Sequence, residues 1–358
     1  MRTRAAWPLA LAILTAAPPP ATAADPVDDV VRAVREAVQQ KHSDGDLARA
    51  LRRLSLKTRL DNRTAEEMES LAPGPKSIAE LERLRETTRD LPLPAVRPQF
   101  DSPPPPTPDE LLSVIEEARR KALAYTAGLP DFICEETVHR YESATGKDNW
   151  ALKDTLTLQL SYFGHLENYK LTAMNGHKTE LTYEAAGGMM SKGEFGSMLL
   201  EVFSADSRAA FAWSNWTTLR HRPAYVVSFS IAVWNSRYYL MVGQRGTGSV
   251  STVAGEHGLV YIDRETQEVL RVDSEADSLP DGFPLGGATR VLDYGTVEVG
   301  GRSFLLPLRA DLRMMPRDTA PQARNEVMFT GYRKFTGESA ISFGDPVEEK
   351  PKAEPARK

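Results

Sequence analysis

The stretch from residue 258 to 272, GLVYIDRETQEVLRV, has the pattern of two short β-strands joined by a turn. Val260 and Ile262 are two positions apart, so their side chains lie on the same face of the first strand. Residues 264–267 are polar and supply the turn, and apolar residues return at 269, 270 and 272. We therefore predict a β-hairpin at this position, and with it an antiparallel sheet.

Three carboxylates, Asp263, Glu265 and Glu268, lie at or beside this predicted turn. A catalytic pair of carboxyl groups needs one member desolvated, because desolvation raises the pKa of that member. A hairpin turn normally lies on the protein surface. We therefore expect these carboxylates to be solvated and not to form a catalytic site.

Three further hairpins are indicated along the second half of the chain. Asn175-Gly176 and Gly300-Gly301 accept positive φ at both residues, as a two-residue turn requires. Pro307 has no backbone N–H, so its strand is expected to be bulged or to lie at an edge there. A turn at Asn235-Ser236 places three apolar pairs on one face: Phe229 with Val242, Ile231 with Leu240, and Val233 with Tyr238.

The chain before residue 131 has a helical period instead. Residues 24–91 carry apolar side chains at helical spacing and are predicted to form a helical segment. A proline-rich linker follows at residues 92–106. Thr107 and Glu110 then form a capping box around a proline at the first helical position, which predicts a helix over residues 108–127. We expect the remaining domain, residues 107–343, to consist of this helix and the sheet.

Capping boxes are also expected at three other helix starts. Their hydroxyl and carboxylate pairs are Thr64 with Glu67, Ser77 with Glu80, and Ser191 with Glu194. The last pair opens a short helix over residues 191–203, in which Met190 and Phe195 are expected to pack together as a hydrophobic staple. Two glycines weaken this helix, so it should depend on packing against the sheet.

The first 23 residues have the parts of a secretory signal peptide. Arg2 and Arg4 are basic, residues 5–17 are apolar, and Ala21-Thr22-Ala23 offers small residues to a signal peptidase. No later apolar run reaches the length of about 20 residues that a membrane-spanning helix needs. We therefore expect a periplasmic or secreted protein without a transmembrane segment in the mature chain. Residues 344–358 are predicted to be a disordered tail.

The formal net charge of the chain is −5, and the loss of two arginines with the signal peptide makes it more negative. Nucleic-acid binding requires a basic surface that neutralises phosphates, so no nucleic-acid partner is expected. The single cysteine, Cys134, cannot form an internal disulfide. We expect it to be a buried apolar side chain in a fold held by burial.

The sequence lacks the short motifs HExxH, CxxC, GxSxG and the Walker lysine loop. His165 and His177 fall on one predicted hairpin, but two ligands do not complete a metal site. The glycine-rich stretch 244–258 precedes no helical pattern, so we interpret it as a mobile loop and not as a phosphate cradle. We predict no catalytic residues, no metal and no cofactor, and expect that the protein is not an enzyme.

An excess of apolar side chains remains in the predicted sheet. Those of Trp234, Tyr239 and Met241 lie on the hairpin face opposite the apolar pairs, so both faces need a cover. The 191–203 helix, the 108–127 helix, a partner or a ligand can supply it, and an ordinary helix-on-sheet core is the alternative. The candidate ligand-binding residues are Phe195, Met198, Leu199, Trp213, Trp216, Trp234, Tyr239 and Met241.

An exported chain with a meander of antiparallel strands and short helices resembles the lipoprotein-sorting (Lol-type) periplasmic carriers. GLVYIDRETQEVLRV is similar to a strand pattern of that family, over a resemblance that covers residues 131–343. The stretches SKGEFGSMLLEVFS, NWTTLR and RNEVMFTGYRKF also resemble uncharacterised exported bacterial proteins. The carrier resemblance implies an incomplete β-barrel around apolar space, with helices as a lid, that shields acyl chains. The N-terminal helical segment and the glycine-rich stretch are not part of the carrier pattern.

Together these patterns predict an α+β protein. It consists of a curved antiparallel sheet or incomplete β-barrel with short lid helices, preceded by an N-terminal helical segment. Three functions are compatible with it: binding or carrying an acyl or apolar ligand in the periplasm, a protein–protein interaction module of the cell envelope, or a hydrolase with an unrecognised site. The first is favoured, with a lipid or acylated ligand and an envelope protein as the expected partners.

Overall fold

The computed structural model describes residues 26–145, 150–164, 166–189, 195, 197–244, 248–318 and 320–335. The predicted signal peptide, the cap of the 191–203 helix with Met190, His165 and the predicted tail lie outside these residues. Within them, an N-terminal group of helices is followed by a curved, unclosed antiparallel sheet of 12 strands. The predicted α+β class and the incomplete closure of the sheet are therefore confirmed.

Four helices precede the proline-rich stretch: α1 (Pro26–Gln39), α2 (Asp44–Arg52), α3 (Asn62–Leu71) and α4 (Pro75–Thr87). They bury an apolar core of their own, and Phe100 from the proline-rich stretch packs against it. Residues 92–107 contain no helix or strand. The division of the chain at these boundaries into segment, linker and β-domain stays a prediction.

Two of the predicted capping boxes are wrong, because other side chains cap these helices. The Asp61 carboxylate accepts a hydrogen bond from the Thr64 N–H at 3.1 Å, so α3 starts before the predicted cap. Asp44 on α2 accepts from the backbone N–H groups of Lys76 and Ser77 at the start of α4, at 3.0 and 2.8 Å. The second cap comes from another helix, which a local pattern cannot show.

The helix α5 (Pro108–Gly128) begins with the predicted capping box. The Glu110 carboxylate accepts from the Thr107 N–H, and the Thr107 hydroxyl accepts from the Glu110 N–H. The short helix α6 (Ser197–Phe203) lies beside α5. Among the described residues, no helix combines the length and apolarity needed to cross a membrane.

The sheet is built from antiparallel strands, most of which pair with a neighbour in the sequence. They are β1 (Phe132–Ser143), β2 (Ala151–Phe163), β3 (Leu166–Met174), β4 (His177–Lys178), β5 (Ala210–Leu219), β6 (Arg222–Ile231), β7 (Tyr238–Gln244), β8 (Gly248–Asp263), β9 (Val269–Asp277), β10 (Leu285–Val299), β11 (Arg302–Pro316) and β12 (Gln322–Lys334). Their order is β4-β3-β2-β1-β12-β11-β10-β9-β8-β6-β5, and β7 lies off this path and pairs with β8. The edges at β4 and β5 are not neighbours, so the barrel is incomplete.

Three of the four predicted hairpins are confirmed. The opening stretch joins β8 to β9, with Val260 opposite Val272. Asn175-Gly176 and Gly300-Gly301 have positive φ at both residues, between 53° and 78°, as their turns require. The register of β10 and β11 shifts next to Pro307, which confirms the predicted bulge.

The hairpin predicted at Asn235-Ser236 is wrong. Neither residue has a positive φ, and Tyr238 pairs with Ala254 of β8 instead of facing Val233. The strand β6 pairs with residues 256–263 of β8. Long-range packing selects β8 and not β7 as the partner of β6. A local pattern of apolar pairs cannot make that choice.

The glycine-rich stretch 244–258 is also not the loop that we expected, because residues 248–258 belong to β8. Residues 245–247 lie outside the described part of the chain. Gly258 has a packing role, since a Cβ there would lie 1.9 Å from the backbone oxygen of Asp273 on β9. The glycine therefore allows two strands to approach closely.

The two faces of the sheet differ in chemistry. We call the face in contact with α5 and α6 the inner face; it carries the largest apolar core. The opposite, outer face carries rows of charged side chains on β9, β10 and β11, and α3 and α4 contact it through hydrogen bonds and ion pairs. The inner face is therefore apolar and packed against helices, and the outer face is charged and contacts the helical segment.

Candidate functional site

The candidate ligand residues around α6 are part of the inner core. Phe195, Met198 and Leu199 are at most 3% exposed. The Phe195 ring centre lies 5.2 Å from the ring centres of Phe132 and Phe329. The side chains of this region therefore fill the inner face of the sheet.

Trp213 and Trp216 lie together near one edge of the sheet. Their ring centres are 4.8 Å apart, and Tyr225 on β6 lies 4.6 Å from Trp216. The Arg264 guanidinium lies 4.6 Å from the Trp216 ring centre, and the Trp216 indole N–H donates to the backbone oxygen of Pro104 at 3.2 Å. This aromatic cluster therefore connects β5 to the β8–β9 turn and to the proline-rich stretch.

The other three candidates lie on the surface. Trp234 is 82% exposed, Tyr239 58% and Met241 45%. The alternate β7 side chains, Tyr238 and Leu240, are buried in a smaller apolar cluster. The eight candidate residues thus fall in three separate places in the structure, and their role in ligand binding stays a prediction.

A cavity of about 360 Å³ opens at one end of the inner face. It lies between α5, α6, the β8–β9 turn and the first residues of β11. Apolar and aromatic side chains form most of its wall: Ala122, Tyr125, Leu199, Val269, Phe304 and Leu305. Arg120, Lys121 and Glu268 also line it and give its walls charged groups. We call this opening the inner cavity; Leu199 is the candidate residue that lines it.

Tyr125 on α5 lines the inner cavity, and its hydroxyl is buried behind the cavity wall. Its ring meets that of Tyr294 edge to face at 6.5 Å. Its hydroxyl is buried and has no hydrogen-bond partner among the described residues. Burial raises the pKa of this phenol well above its ordinary value, so the hydroxyl keeps its proton and can donate it in a hydrogen bond. Because buried hydroxyls are normally paired, this one is a candidate contact for a ligand oxygen.

A buried ion-pair cluster holds α6 against the inner face. Arg290 on β10 donates to the carboxylates of Glu201 on α6 and Glu256 on β8, the second at 2.9 Å. The same guanidinium lies 3.9 Å from the ring centre of Tyr238. Burial raises the pKa of Glu256, and Arg290 offsets part of this effect. Since α6 has seven residues, it depends on such tertiary contacts more than on its own propensity.

The expectation that all three carboxylates of the opening stretch are solvated is wrong for Asp263. This residue is 2% exposed, and its carboxylate accepts from the N–H groups of Glu265 and Thr266 at 2.9 and 2.7 Å. Arg222 pairs with it at 2.7 Å. The turn needs an acceptor for its free N–H groups, and Asp263 supplies one as an Asx turn. Glu265 is exposed and Glu268 half-buried, so no second carboxyl is buried with Asp263.

On the outer face, Arg271 is the centre of a buried ion-pair network that joins α3 to the sheet. Its guanidinium donates to both carboxylate oxygens of Asp293 at 2.7 and 3.0 Å. It reaches one oxygen of Glu66 on α3 at 3.3 Å, and the Thr217 hydroxyl donates to the other oxygen at 2.8 Å. The helical segment is therefore attached to the sheet through buried polar groups.

The two carboxylates of this network have opposite pKa shifts. Burial raises the pKa of Glu66 to about 7, and Arg271 and Thr217 offset this effect only in part. Burial acts on Asp293 as well, but the bidentate contact with Arg271 and the nearby Arg220 hold its pKa below the ordinary value. Arg271 therefore stabilises the charge of Asp293 more than that of Glu66.

Glu66 should make the protein less stable as the pH rises from 4.5 to 7. A carboxyl whose pKa is raised by folding contributes stability that is complete below its unfolded pKa and is lost as the pH passes its folded pKa. Glutamine does not titrate, so the free energy of unfolding of Glu66→Gln should not show this loss. Relative to wild type, it should be about 1–3 kcal/mol higher at pH 8 than at pH 5. Urea unfolding at both pH values measures this difference. The same pH dependence in both proteins would show that Glu66 does not titrate in this range.

The sequence patterns did not predict the outer-face network. Its signal in the sequence is alternation, since charged residues occupy every second position at Arg271, Asp273 and Glu275 of β9. In β11 the same spacing is seen over residues 309–313. Alternation of this kind is typical of a strand with one solvated face, so it does not reveal that α3 and α4 cover that face.

Within the described ranges, no group of three or more His, Cys, Asp or Glu side chains is arranged to hold a metal ion. His177 is exposed, and because His165 lies outside those ranges the predicted approach of the two histidines stays untested. Cys134 is buried on the inner face, as expected for an apolar side chain.

No protein-family model matches the chain, and no curated protein matches it. Solved structures do match it. The chain resembles a structure of the LolA superfamily. This protein, from Nitrosomonas europaea, is 10% identical, and the alignment covers 63% of this chain and 93% of that one with a TM-score of 0.32.

Two other structures are similar to the same degree. A DUF1329 family protein from Desulfovibrio piger ATCC 29098 is 8% identical, with 63% and 93% coverage and a TM-score of 0.32. A candidate outer membrane lipoprotein-sorting protein domain from Vibrio parahaemolyticus is 13% identical, with 62% and 92% coverage and a TM-score of 0.28. The structural neighbours thus include the family that the sequence resembles, but similarity this low transfers no function.

Proposed function

We propose that the protein binds or carries an acyl or other apolar ligand in the periplasm, and that the ligand enters through the inner cavity. The observation that supports this most is the wall of that cavity, which is mostly apolar, with the unpaired Tyr125 hydroxyl buried behind it. An acyl ester or acid offers the matching combination of an apolar chain and an oxygen acceptor. Arg120 and Lys121 line the same cavity, and an anionic head group would share them with Glu117, their partner in the protein.

A long acyl chain needs more space than the inner cavity offers. Ligand sites commonly measure about 300–1,000 Å³, so 360 Å³ lies near the lower end. The inner face beyond it is filled by side chains of α5 and α6. Binding should therefore displace α6, whose link to β10 is the Arg290–Glu201 ion pair. The ligand then replaces the apolar contacts that α6 gives up, at about 25 cal/mol for each Å² of apolar surface buried.

Tyr125→Phe should separate the stability of the empty protein from its affinity for ligand. The variant loses a buried hydroxyl that has no partner, so we expect unchanged or slightly higher stability, by up to about 1 kcal/mol. Binding of a fluorescent fatty acid should weaken by about 3- to 10-fold, the value of one hydrogen bond. Fluorescence titration and urea unfolding measure the two effects.

Tyr141→Phe is the matched control for this titration, because Tyr141 lies away from the inner cavity and its hydroxyl already contacts Glu326 at 3.2 Å. Its fatty-acid affinity should equal that of wild type. If Tyr125→Phe also binds the fatty acid as tightly as wild type, the Tyr125 hydroxyl does not contact the ligand.

The exposed residues on and beside β7 favour a second function, as an interaction module. Trp234, Tyr239, Met241 and Val253 are all at least 40% exposed, and β7 pairs on one side with β8. Aromatic residues and methionine are enriched in protein interfaces. A photo-crosslinking residue at position 234 should then capture a defined envelope protein in cells, whereas one at the exposed position 265 should not.

A further inference from the structure

A second cavity, of about 210 Å³, lies between the helical segment and the outer face of the sheet. We call it the arginine cavity, because three arginines from each side line it. The helical segment contributes Arg59, Arg85 and Arg89, and the sheet contributes Arg271, Arg309 and Arg313. Four carboxylates line the same cavity, so guanidinium groups outnumber them.

The sheet arginines already have carboxylate partners. Arg271 pairs with Asp293 and Glu66, as described above. Arg309 donates to Glu82 at 2.9 Å. Arg313 donates to Glu86 and to Asp311, the second at 3.1 Å. These three guanidinium groups are therefore largely neutralised within the protein.

The arginines of the helical side are different. Arg59 and Arg89 form no ion pair and no side-chain hydrogen bond with the described residues. Arg85 forms one ion pair, with Glu69 at 3.8 Å, and this separation is too long for a hydrogen bond. Three guanidinium groups thus face the cavity with unused donors.

The carboxylates that remain in the wall do not match these donors. Asp273 and Glu275 are the acids of the wall without a hydrogen bond to its arginines, whereas Glu86 and Asp311 are bound to Arg313. Burial raises the pKa of Asp273 even with Arg271, Arg85 and Arg89 nearby, which disfavours its charged form. The Asn62 amide and the Thr289 hydroxyl add neutral donors to the wall.

We propose that the arginine cavity binds a small oxyanion, a phosphate or phosphate monoester, between Arg59, Arg85 and Arg89 and the outer face of the sheet. A guanidinium presents its donors as a planar fork that matches two phosphate oxygens. A volume of 210 Å³ equals about seven water molecules and leaves room for such a group with part of a small molecule. The anion joins the helical segment to the sheet. This site lies on the opposite face from the inner cavity, so it is independent of acyl binding.

Calorimetric titration of the purified protein with inorganic phosphate and with glycerol 3-phosphate tests the proposal, against sodium chloride at matched ionic strength. Arg59→Gln and Arg89→Gln should each weaken the affinity by about tenfold or more, the value of a charge-assisted hydrogen bond. Arg97→Gln is the control, because Arg97 is exposed in the proline-rich stretch and does not line the cavity. It should change the affinity less than about twofold.

Sedimentation with phosphatidic acid vesicles separates a lipid head group from a free phosphate. Binding of the soluble phosphates that depends on Arg59 and Arg89 supports a free oxyanion, and vesicle binding alone with the same dependence supports the lipid source. Arg59→Gln and Arg89→Gln break no ion pair with the described residues, so both should unfold at the same urea concentration as wild type or a higher one. Absence of binding in both assays, or equal binding by folded variants, overturns the proposal.

Discussion

Arg271→Met should destabilise the protein by about 3–5 kcal/mol, the cost of breaking a buried ion pair from one side. The substitution keeps much of the apolar volume of the side chain but removes three hydrogen bonds, two to Asp293 and one to Glu66. Asp293 and Glu66 are each at most 2% exposed, so water cannot replace the lost donors without structural change. Arg220, 3.4 Å from Asp293, compensates only in part.

Urea unfolding at pH 7 measures this effect, with Arg49→Met as the control. Arg49 pairs with Asp46 on the surface of α2, and its side chain is 69% exposed. Exposed pairs contribute little, so the control should lie within about 0.5 kcal/mol of wild type. A loss in Arg271→Met no larger than that of the control would mean that the outer-face network does not stabilise the docking of the helical segment.

Ala124→Trp should reduce the affinity for a long-chain fluorescent fatty acid by about tenfold or more. Ala124 lines the inner cavity and is exposed, so the indole can cover the opening without disturbing the core. The stability of the protein should therefore change by less than about 0.5 kcal/mol. Fluorescence titration, together with urea unfolding, distinguishes a blocked entrance from an unfolded protein.

Ser113→Trp is the matched control, since Ser113 is exposed on the same helix but does not line the cavity. It lies eleven positions before Ala124, which is about 16 Å along an α-helix. Its affinity should equal that of wild type. Equal loss in both variants would indicate a general effect of an added tryptophan, and no loss in either would place the entrance elsewhere.

Local rules explain which parts of the fold could be predicted. Asn175-Gly176 and Gly300-Gly301 accept a backbone conformation that few other residues adopt, so each fixes its turn without help from the rest of the chain. The Thr107 capping box is local in the same sense. The prediction of a turn at Asn235-Ser236 was wrong because β6 pairs with β8. The paired residues are more than twenty positions apart in the sequence, so no local pattern shows this pairing.

A two-residue turn at Arg220-His221 was not predicted, because its own residues give no local signal for a turn. Both residues have positive φ, at 50° and 64°, although neither belongs to the usual turn formers. The Arg220 side chain donates to the backbone oxygens of Leu270 and Tyr294, at 3.1 and 2.8 Å. Long-range hydrogen bonds of this kind can hold a backbone conformation that the local sequence does not favour.

The candidate site could be predicted only in its general character. The apolar surplus of the sheet indicated an apolar inner face, and the structure has one. Trp234, Tyr239 and Met241 were assigned to this face from the wrong hairpin at Asn235-Ser236. In the structure these three side chains are exposed. The unpaired hydroxyl of Tyr125 follows from three-dimensional packing and has no local signal in the sequence.

Mass spectrometry of lipid extracted from the natively purified protein tests directly whether an acyl ligand occupies the inner cavity. We expect wild type and Ser113→Trp to carry an acyl-containing species in near-stoichiometric amount, and folded Ala124→Trp to carry much less. Folded wild-type protein without any acyl species, or an equal amount in all three proteins, would contradict binding through the inner cavity.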